Sequence, residues 1–358
     1  MNRGYVEMPR MLVATAPGKA EIVEYRDRKI AANEVMVEVE FASPKHGSEI
    51  ADFRGESPLI DEYYDDDWKL LLPRSPDQKK GVEFGSWNLG NMWVGKIVVK
   101  GVDVKDYGVG ERVCSYGGIR ETHIVNALGN HRLLRVPKAV SWKSAVCYDP
   151  AQFALSGIRD GNVRPGDHVA VIGLGAIGLL TVQLAKKIGA SPVIAVDPIE
   201  VRREAARNSG ADFTLDPKAC DVGLEIKSLT DKTGADCIIE TSGAPSALQS
   251  ALRGLAHGGT ISYVAWAKEF LGGINFGREA HYNYGRLIFS RAASEPGPDY
   301  PRWDRKRVER VCWEMICKGS IRGDEIVSPV VGFEESAKAY CKYVDTSPEL
   351  SIKLGVAF

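Results

Sequence analysis

The sequence lacks the features of a membrane-embedded chain and of a typical nucleic-acid-binding chain. Its longest uncharged run, residues 169–185, is interrupted by glycines and is therefore a poor candidate for a bilayer-spanning helix. Charge of one sign does not dominate, because 46 Lys and Arg residues accompany 47 Asp and Glu residues. A composition with 44% hydrophobic residues is also not typical of intrinsic disorder. We predict a globular protein that binds neither membranes nor nucleic acids.

Cysteine pairs of the kind that hold zinc or cycle between thiol and disulfide are missing as well. The seven cysteines are scattered and odd in number, and no C-x-x-C spacing occurs. The first residues contain no long apolar segment of the kind found in secretory signals. These absences predict a cytoplasmic protein in which most cysteines are small buried hydrophobic residues.

The chain changes character along its length, which indicates domains. Residues 1–145 contain short strands separated by glycines, for example the alternating stretch 35–40. Residues 146–290 alternate apolar strands with helical stretches, which is typical of a parallel sheet. Residues 291–358 contain a charged helix near 304–318 and a final strand near 350–356, which we expect to return to the first domain. An acidic and aromatic stretch, 59–80, is interpreted as a surface loop or as a lid.

A glycine-rich turn carries the clearest chemical signal. Gly173, Gly175 and Gly178 follow an apolar strand and precede a helix, with Ala176 and Ile177 between the last two glycines. The first glycine permits a tight turn, the second lets a pyrophosphate approach the backbone, and the third lets helix and strand pack closely. Free N–H groups at the start of the helix then face the phosphates. The pattern predicts a dinucleotide site.

The choice of dinucleotide depends on the end of the second strand. Asp197 stands there, about 20 residues beyond the glycines, where a carboxylate accepts the adenosine ribose hydroxyls and repels a 2'-phosphate. We therefore predict NAD as the cofactor. Arg202 and Arg203 lie close by in sequence and keep NADP open as an alternative. FAD shares the glycine pattern, and a turn that binds nothing is the remaining alternative.

In this context the chain resembles the medium-chain dehydrogenase/reductase superfamily, the alcohol and polyol dehydrogenases. The resemblance is carried by the glycine turn with the preceding R-P-G-D of residues 164–167, and by G-V-G-E-R-V at 108–113. It implies an α/β fold with a GroES-like β-rich catalytic domain and a Rossmann domain built on a doubly wound parallel sheet. It also implies a small-molecule substrate bound between the domains and a homodimer or homotetramer.

The resemblance also implies cofactor contacts beyond the glycine turn. Thr241 and Ser242 fall in one loop that meets the cofactor in the superfamily, and Val264 and Trp266 fall in a second. A structural reading of Trp266, as a core aromatic residue beside a strand, is the alternative.

The zinc motifs of the superfamily are degenerate in this chain. Zinc members carry C-G-T-D where residues 46–49 read H-G-S-E, and they carry G-H-E where residues 90–92 read G-N-M. The polyol-dehydrogenase motif E-P-L reads D-P-A at 149–151, and the cysteine lobe for structural zinc is missing. Catalytic zinc needs three protein ligands, and only His46, Glu49 and Asp149 remain as donors. We predict catalysis without a metal, with a non-standard zinc site on these three residues as the alternative.

The residues near the degenerate motifs are the candidates for catalysis: Lys45, His46, Ser48, Glu49, Asn91 and Asp149. Lysine and histidine can move the proton of an alcohol, and an amide can donate to its oxygen. By resemblance, Ser48 relays a proton. Glu49 orients His46 or pairs with Lys45, while Asp149 accepts a hydrogen bond. Structural readings stay open, namely a solvated lysine, a structural histidine, a turn serine and an N-cap aspartate.

Together these features predict an NAD-dependent enzyme that oxidises a secondary alcohol, such as a polyol, cyclitol or sugar derivative, by hydride transfer. An oxidation followed by re-reduction, giving net epimerisation, belongs to the same class. The alternatives are a zinc-free enone or quinone reductase and a non-catalytic NAD-binding protein.

Overall fold

A computed structural model describes residues 8–266 and 270–358. The chain forms two compact units, the first comprising residues up to Lys138 together with Ser328–Phe358, and the second comprising Ala139–Val327. Within the described residues, no helix combines the length and the hydropathy that crossing a bilayer requires.

The elements follow one another in a β-rich part and then an alternating part. As far as residue 145 they are β1 (Arg10–Ala16), β2 (Lys19–Glu24), β3 (Glu34–Ser43), α1 (His46–Arg54), β4 (Glu62–Asp65), β5 (Leu70–Pro73), β6 (Trp87–Asn88), β7 (Met92–Lys100), β8 (Arg112–Tyr116), β9 (Thr122–Asn126), β10 (Leu134–Arg135) and α2 (Trp142–Ala145). From residue 148 they are α3 (Tyr148–Asp160), β11 (Val169–Ile172), α4 (Ala176–Ile188), β12 (Val193–Val196), α5 (Glu200–Asn208), β13 (Phe213–Leu215), α6 (Val222–Ser228), β14 (Ala235–Glu240), α7 (Pro245–Gly254), β15 (Leu255–Tyr263), α8 (Glu279–Asn283), β16 (Arg286–Phe289), α9 (Arg305–Cys317), β17 (Val327–Gly332), α10 (Ser336–Tyr340) and β18 (Lys353–Ala357).

The first unit is built on a sheet in which β3 is central. Val35, Val37 and Val39 of β3 are buried while Glu38 between them is exposed, which is the alternation that the sequence predicts. Strands β7 and β9 pair antiparallel with β3, and β18 pairs antiparallel with the C-terminal end of β3. The last strand of the chain therefore lies beside the residues that lead into α1.

The second unit contains the predicted parallel sheet. Its strand order is β13-β12-β11-β14-β15-β16, and each neighbouring pair is parallel. Numbered from β11, this is the order 3-2-1-4-5-6 of a dinucleotide-binding fold, in which ligands bind outside the carboxyl ends of the strands. The predicted fold class is confirmed.

The second unit continues past residue 290, where the sequence places the end of the Rossmann domain. Helix α9 packs on α3, with the Trp313 ring edge-on to the Tyr148 ring at a centroid distance of 5.8 Å. Arg159 of α3 also forms an ion pair with Asp299. The chain changes unit only at Ser328, because the apolar side of α9 is buried against α3.

One predicted boundary and one predicted loop differ from the structure. The final strand begins at Lys353 and not near 350, because Pro348–Leu350 forms a turn of 3-10 helix. The stretch 59–80 contains a turn of 3-10 helix and the hairpin β4–β5, with Trp68 74% exposed at its tip.

Candidate functional site

The three glycines of the predicted nucleotide turn meet three different spatial demands. Gly173 has φ +89°, and a Cβ atom on it would lie 2.7 Å from the backbone nitrogen of Ser242. A Cβ atom on Gly178 would lie 1.9 Å from the carbonyl oxygen of Gly173, so helix and strand pack too closely for a side chain. At Gly175 no described atom lies within 4 Å of that position. The glycine with open space beside it is the one whose backbone we expect to face a pyrophosphate.

Helix α4 begins directly after this turn. Gly175 is its N-cap and provides no side-chain hydrogen bond, and Ala176 and Ile177 are its first residues. The first N–H groups of a helix have no carbonyl partner in the helix itself, and the helix dipole favours negative charge there. The residues around the turn therefore fit a dinucleotide phosphate.

Asp197 lies against the glycine turn at the end of β12. It is 3% exposed, and its carboxylate accepts the N–H groups of Leu174 at 2.8 Å and Ile199 at 2.9 Å. A carboxylate has about four acceptor sites, so two amide bonds leave room for a ribose diol. Arg202 holds a guanidinium nitrogen 3.9 Å from the Asp197 carboxylate.

Arg203 is used by the fold itself. It is 9% exposed, donates to the Asp197 carbonyl oxygen at 2.6 Å and forms an ion pair with Asp216 at 3.2 Å. It also bonds Glu200. A guanidinium held by these partners is poorly placed to receive a 2'-phosphate, which weakens the NADP alternative.

Thr241 and Ser242 contact the glycine turn from the next strand. The Thr241 hydroxyl donates to the Gly173 carbonyl oxygen at 2.7 Å. Behind them the Glu240 carboxylate, fully buried, accepts the N–H of Ser242 at 2.8 Å and of Gly243 at 3.1 Å. Burial raises the pKa of Glu240. Glu240 is not among the residues predicted from the sequence, although an acidic residue that closes a buried parallel strand is a visible signal.

The other predicted cofactor residues follow β15. The Val264 N–H donates to the Glu240 carbonyl oxygen at 2.8 Å, and the Val264 side chain is buried. Trp266 is 47% exposed and is therefore not the core aromatic residue of the alternative reading.

Asp149 and the other predicted catalytic residues belong to different units. It lies in the second unit, in the first turn of α3, and is 6% exposed. The N-cap of α3 is Cys147, so the N-cap reading of Asp149 is wrong. The remaining five candidates belong to the first unit.

Glu49 is the buried centre of the first-unit candidates. It is 7% exposed and accepts hydrogen bonds from the Tyr340 hydroxyl at 2.7 Å, the Gly90 N–H at 3.3 Å and the Lys45 N–H at 3.4 Å. Burial raises the pKa of Glu49 to about 7, although these donors act in the opposite direction. Lys45 itself is the N-cap of α1.

His46, the first residue of α1, is oriented by the last strand. Its Nε2 atom accepts the Leu354 N–H at 3.0 Å. In a neutral imidazole with Nε2 as acceptor, the proton resides on Nδ1. The Ser43 hydroxyl donates to the Leu354 carbonyl oxygen at 2.7 Å, which holds the strand in register with the start of α1.

Asn91 is held by its backbone and carries a buried side-chain amide. Its backbone N–H donates to the Ser43 carbonyl oxygen at 3.0 Å, and its backbone carbonyl oxygen accepts the Gly117 N–H at 2.9 Å. Among the described residues the buried Nδ2 atom has no hydrogen-bond partner. A buried unsatisfied donor costs about 1–3 kcal/mol, which a ligand oxygen would recover.

Ser48 lies in α1, but its side chain falls outside the described residues.

The donor set does not fit a catalytic zinc ion. Nε2 of His46 already accepts a backbone N–H, and the Glu49 carboxylate is occupied by three donors. Zinc needs lone pairs from three protein ligands that converge on one point. In the part of the chain that the structure describes, no group of three His, Cys, Asp or Glu residues converges in this way.

Taken together, a 3-2-1-4-5-6 parallel sheet with a glycine turn and a terminal aspartate, and a β-rich unit with clustered proton-handling groups, define a two-unit dehydrogenase. A family model described as "Zinc-binding dehydrogenase" matches residues 176–291. The D-guloside 3-dehydrogenase of Escherichia coli (strain K12) is 58% identical over 349 residues, covering 98% of this chain and 100% of that protein. The chain belongs to the medium-chain dehydrogenase/reductase superfamily, and it is an enzyme of the alcohol dehydrogenase type.

Solved structures show the same fold at much lower identity. An Escherichia coli oxidoreductase/dehydrogenase of unknown specificity has a TM-score of 0.75 at 19% identity, covering 98% of this chain and 99% of that one. The 2R,3R-butanediol dehydrogenase of Bacillus subtilis has a TM-score of 0.75 at 19% identity, covering 98% of this chain and 100% of that one. The resemblance found in the sequence is confirmed.

Proposed function

We propose that the protein oxidises the C3 hydroxyl of a D-guloside to a ketone, with NAD as hydride acceptor and without catalytic zinc. The observation that carries the substrate is the 58% identity with a D-guloside 3-dehydrogenase over almost the whole chain. A guloside hydroxyl is a secondary alcohol in a sugar derivative, the class that the sequence predicts.

The second unit supplies the proposed NAD site. The N–H groups of Ala176 and Ile177 bind the pyrophosphate beside the open space at Gly175, and Asp197 accepts the adenosine ribose hydroxyls. The flanking residues are Gly173, Gly178, Arg202, Thr241, Ser242, Val264 and Trp266. These residues would hold NAD, which would supply the acceptor for a hydride from the carbinol carbon.

The first unit supplies the proposed proton chemistry. Lys45 is the proposed general base, which takes up the hydroxyl proton as the hydride leaves C3. Two donors stabilise the negative charge that develops on the oxygen. They are the Nδ1–H of His46 and the Nδ2 amide of Asn91, for which the described residues offer no partner. Ser48 serves as a relay, and Asp149 accepts a hydrogen bond from a substrate hydroxyl. Fixed donors replace the charge of a metal ion in this scheme.

A substrate panel with metal analysis tests the function. Formation of NADH is followed with methyl D-guloside, methyl D-glucoside, sorbitol and myo-inositol, on protein whose zinc content has been measured. We expect turnover of the guloside at least about tenfold above the others, and no loss of activity with a chelator. Equal turnover of the glucoside contradicts the substrate, and stoichiometric zinc whose removal abolishes activity contradicts the metal-free mechanism.

We also propose a cytoplasmic homodimer or homotetramer. In support, β16 is an edge strand of the parallel sheet, and Phe289 on it is 77% exposed. Tyr284, just before this strand, is 80% exposed. Natural proteins seldom leave such an edge uncovered. Sedimentation equilibrium tests this proposal, and a monomer at micromolar concentration contradicts it.

A further inference from the structure

We propose that Tyr340 is a positioning residue for the candidate catalytic residues of the first unit. It acts through Glu49, whose carboxylate in turn holds the backbone at Lys45 and at Gly90. This inference rests on the proposed function, because it assigns a role in the same reaction. Nothing in the sequence around Tyr340 points to such a role.

Tyr340 holds α1 at two places. It has no exposed surface, and its hydroxyl donates to Oε1 of Glu49 at 2.7 Å, in the first turn of the helix. Its ring packs edge-on against Phe53, in the last turn, with 4.9 Å between ring centroids. This one side chain therefore restricts both the position of α1 along its axis and its rotation about that axis. Helix α1 carries His46.

Glu49 passes this constraint to the two backbone segments that present the donors. Its carboxylate accepts the Lys45 N–H, beside His46, and the Gly90 N–H, beside Asn91. A buried carboxylate is stable only when donors surround it, so each of these bonds restricts the others. Removal of the Tyr340 hydroxyl leaves the carboxylate less well held and lets both segments shift.

The same C-terminal segment contacts the start of α1 twice more. The buried Lys353 donates from Nζ to the Pro44 carbonyl oxygen at 2.6 Å, and Leu354 donates its N–H to His46. In a zinc enzyme, coordination geometry would hold the ligands in place. Here hydrogen bonds from residues 340–354 supply the corresponding constraint, which is a physical reason for a buried Tyr–Glu pair at this point.

Tyr340→Phe tests the role, with Tyr107→Phe as the matched control. The Tyr107 hydroxyl is also buried in the first unit and donates to the Leu133 carbonyl oxygen at 2.7 Å, but it contacts none of the candidate residues through this bond. We expect both variants to lose similar thermal stability. Only Tyr340→Phe lowers kcat, by about tenfold, because misplaced reacting groups lose rate. The KM for NAD stays within about twofold in both, because the glycine turn lies in the other unit.

A spectroscopic measurement separates this inference from the proposed function. Histidine labelled with 15N reports the tautomer and surroundings of the ring nitrogens, and the His46 signals among six histidines are assigned with His46→Gln. We expect Tyr340→Phe, but not Tyr107→Phe, to move the His46 signals. If these signals move while the wild-type protein fails to oxidise any guloside, the proposed function is wrong and the positioning role stands. Unchanged His46 signals in Tyr340→Phe, or equal kcat loss in the two variants, overturns the positioning role.

Adding Tyr340→Phe to Glu49→Gln checks the route of the effect. If Tyr340 acts through Glu49, the double variant has nearly the kcat of Glu49→Gln alone. Independent, multiplicative losses would show that Tyr340 does not act through this carboxylate.

Discussion

The two units build their sites in opposite ways. The proposed nucleotide site of the second unit is made mainly of backbone, in the single turn 173–178 and the strand ends beside it. The candidate catalytic cluster of the first unit is made of side chains from segments far apart in sequence, and its Tyr340–Glu49 bond joins residues 291 positions apart. Backbone sites can be encoded locally by glycines, whereas side-chain clusters depend on how distant segments pair.

The largest expected effect is on the side-chain site. Lys45→Ala should lower kcat by about 100-fold or more, because a general base contributes on this scale. The dissociation constant for NAD, measured by fluorescence titration, should stay unchanged. The exposed Lys138 of the same unit provides the control Lys138→Ala, which should behave as wild type. Unchanged turnover in Lys45→Ala would remove it from the mechanism.

Two glycine substitutions separate the role of the turn in folding from its proposed role in NAD binding. Gly178→Ala places a Cβ atom 1.9 Å from a carbonyl oxygen, so we expect a loss of about 1–3 kcal/mol in the free energy of unfolding. Gly175→Ala meets no described protein atom, so the stability should be kept while NAD binding weakens. Gly332→Ala, in open space of the first unit, is the control for both measurements. Normal NAD affinity in Gly175→Ala would argue against a pyrophosphate at this turn.

A smaller effect is expected on cofactor choice. Asp197→Ala removes the acceptor of the ribose hydroxyls and the charge that repels a 2'-phosphate, so NAD should bind about tenfold more weakly and NADP better than before. The ratio of kcat/KM for the two cofactors measures the change. An unaltered ratio would contradict the ribose role of Asp197.

The last expected effect is a pH dependence of stability. Burial raises the pKa of Glu49 to about 7, above its value of about 4.3 in an unfolded chain. The folded state therefore binds the proton more tightly. The stability from this group is fully present below about pH 4.3 and is lost as the pH rises towards 7. Urea midpoints from pH 5 to 8 should fall more in wild type than in Glu49→Gln, and parallel curves would contradict the raised pKa.

The sequence predicted most of the fold and the close packing at the glycine turn. The alternating valines of β3 and the apolar strands of the parallel sheet bury the residues that their periodicity indicates. The positions of the glycines in the turn match the spaces that the structure leaves for them. In contrast, the sequence made Lys45, His46, Glu49 and Asn91 candidates only by their place in degenerate motifs. It did not predict that Tyr340 bonds Glu49 or that Leu354 bonds His46.

By itself the sequence therefore determined the class of fold, the family and the place of the glycine turn, because periodicity and backbone freedom act over a few neighbouring residues. Only the tertiary structure decided that Nε2 of His46 accepts a backbone N–H from the last strand and that Tyr340 bonds Glu49. The physical reason is that β18 pairs with β3, which brings residues from the end of the chain beside the start of α1. No local pattern records that pairing.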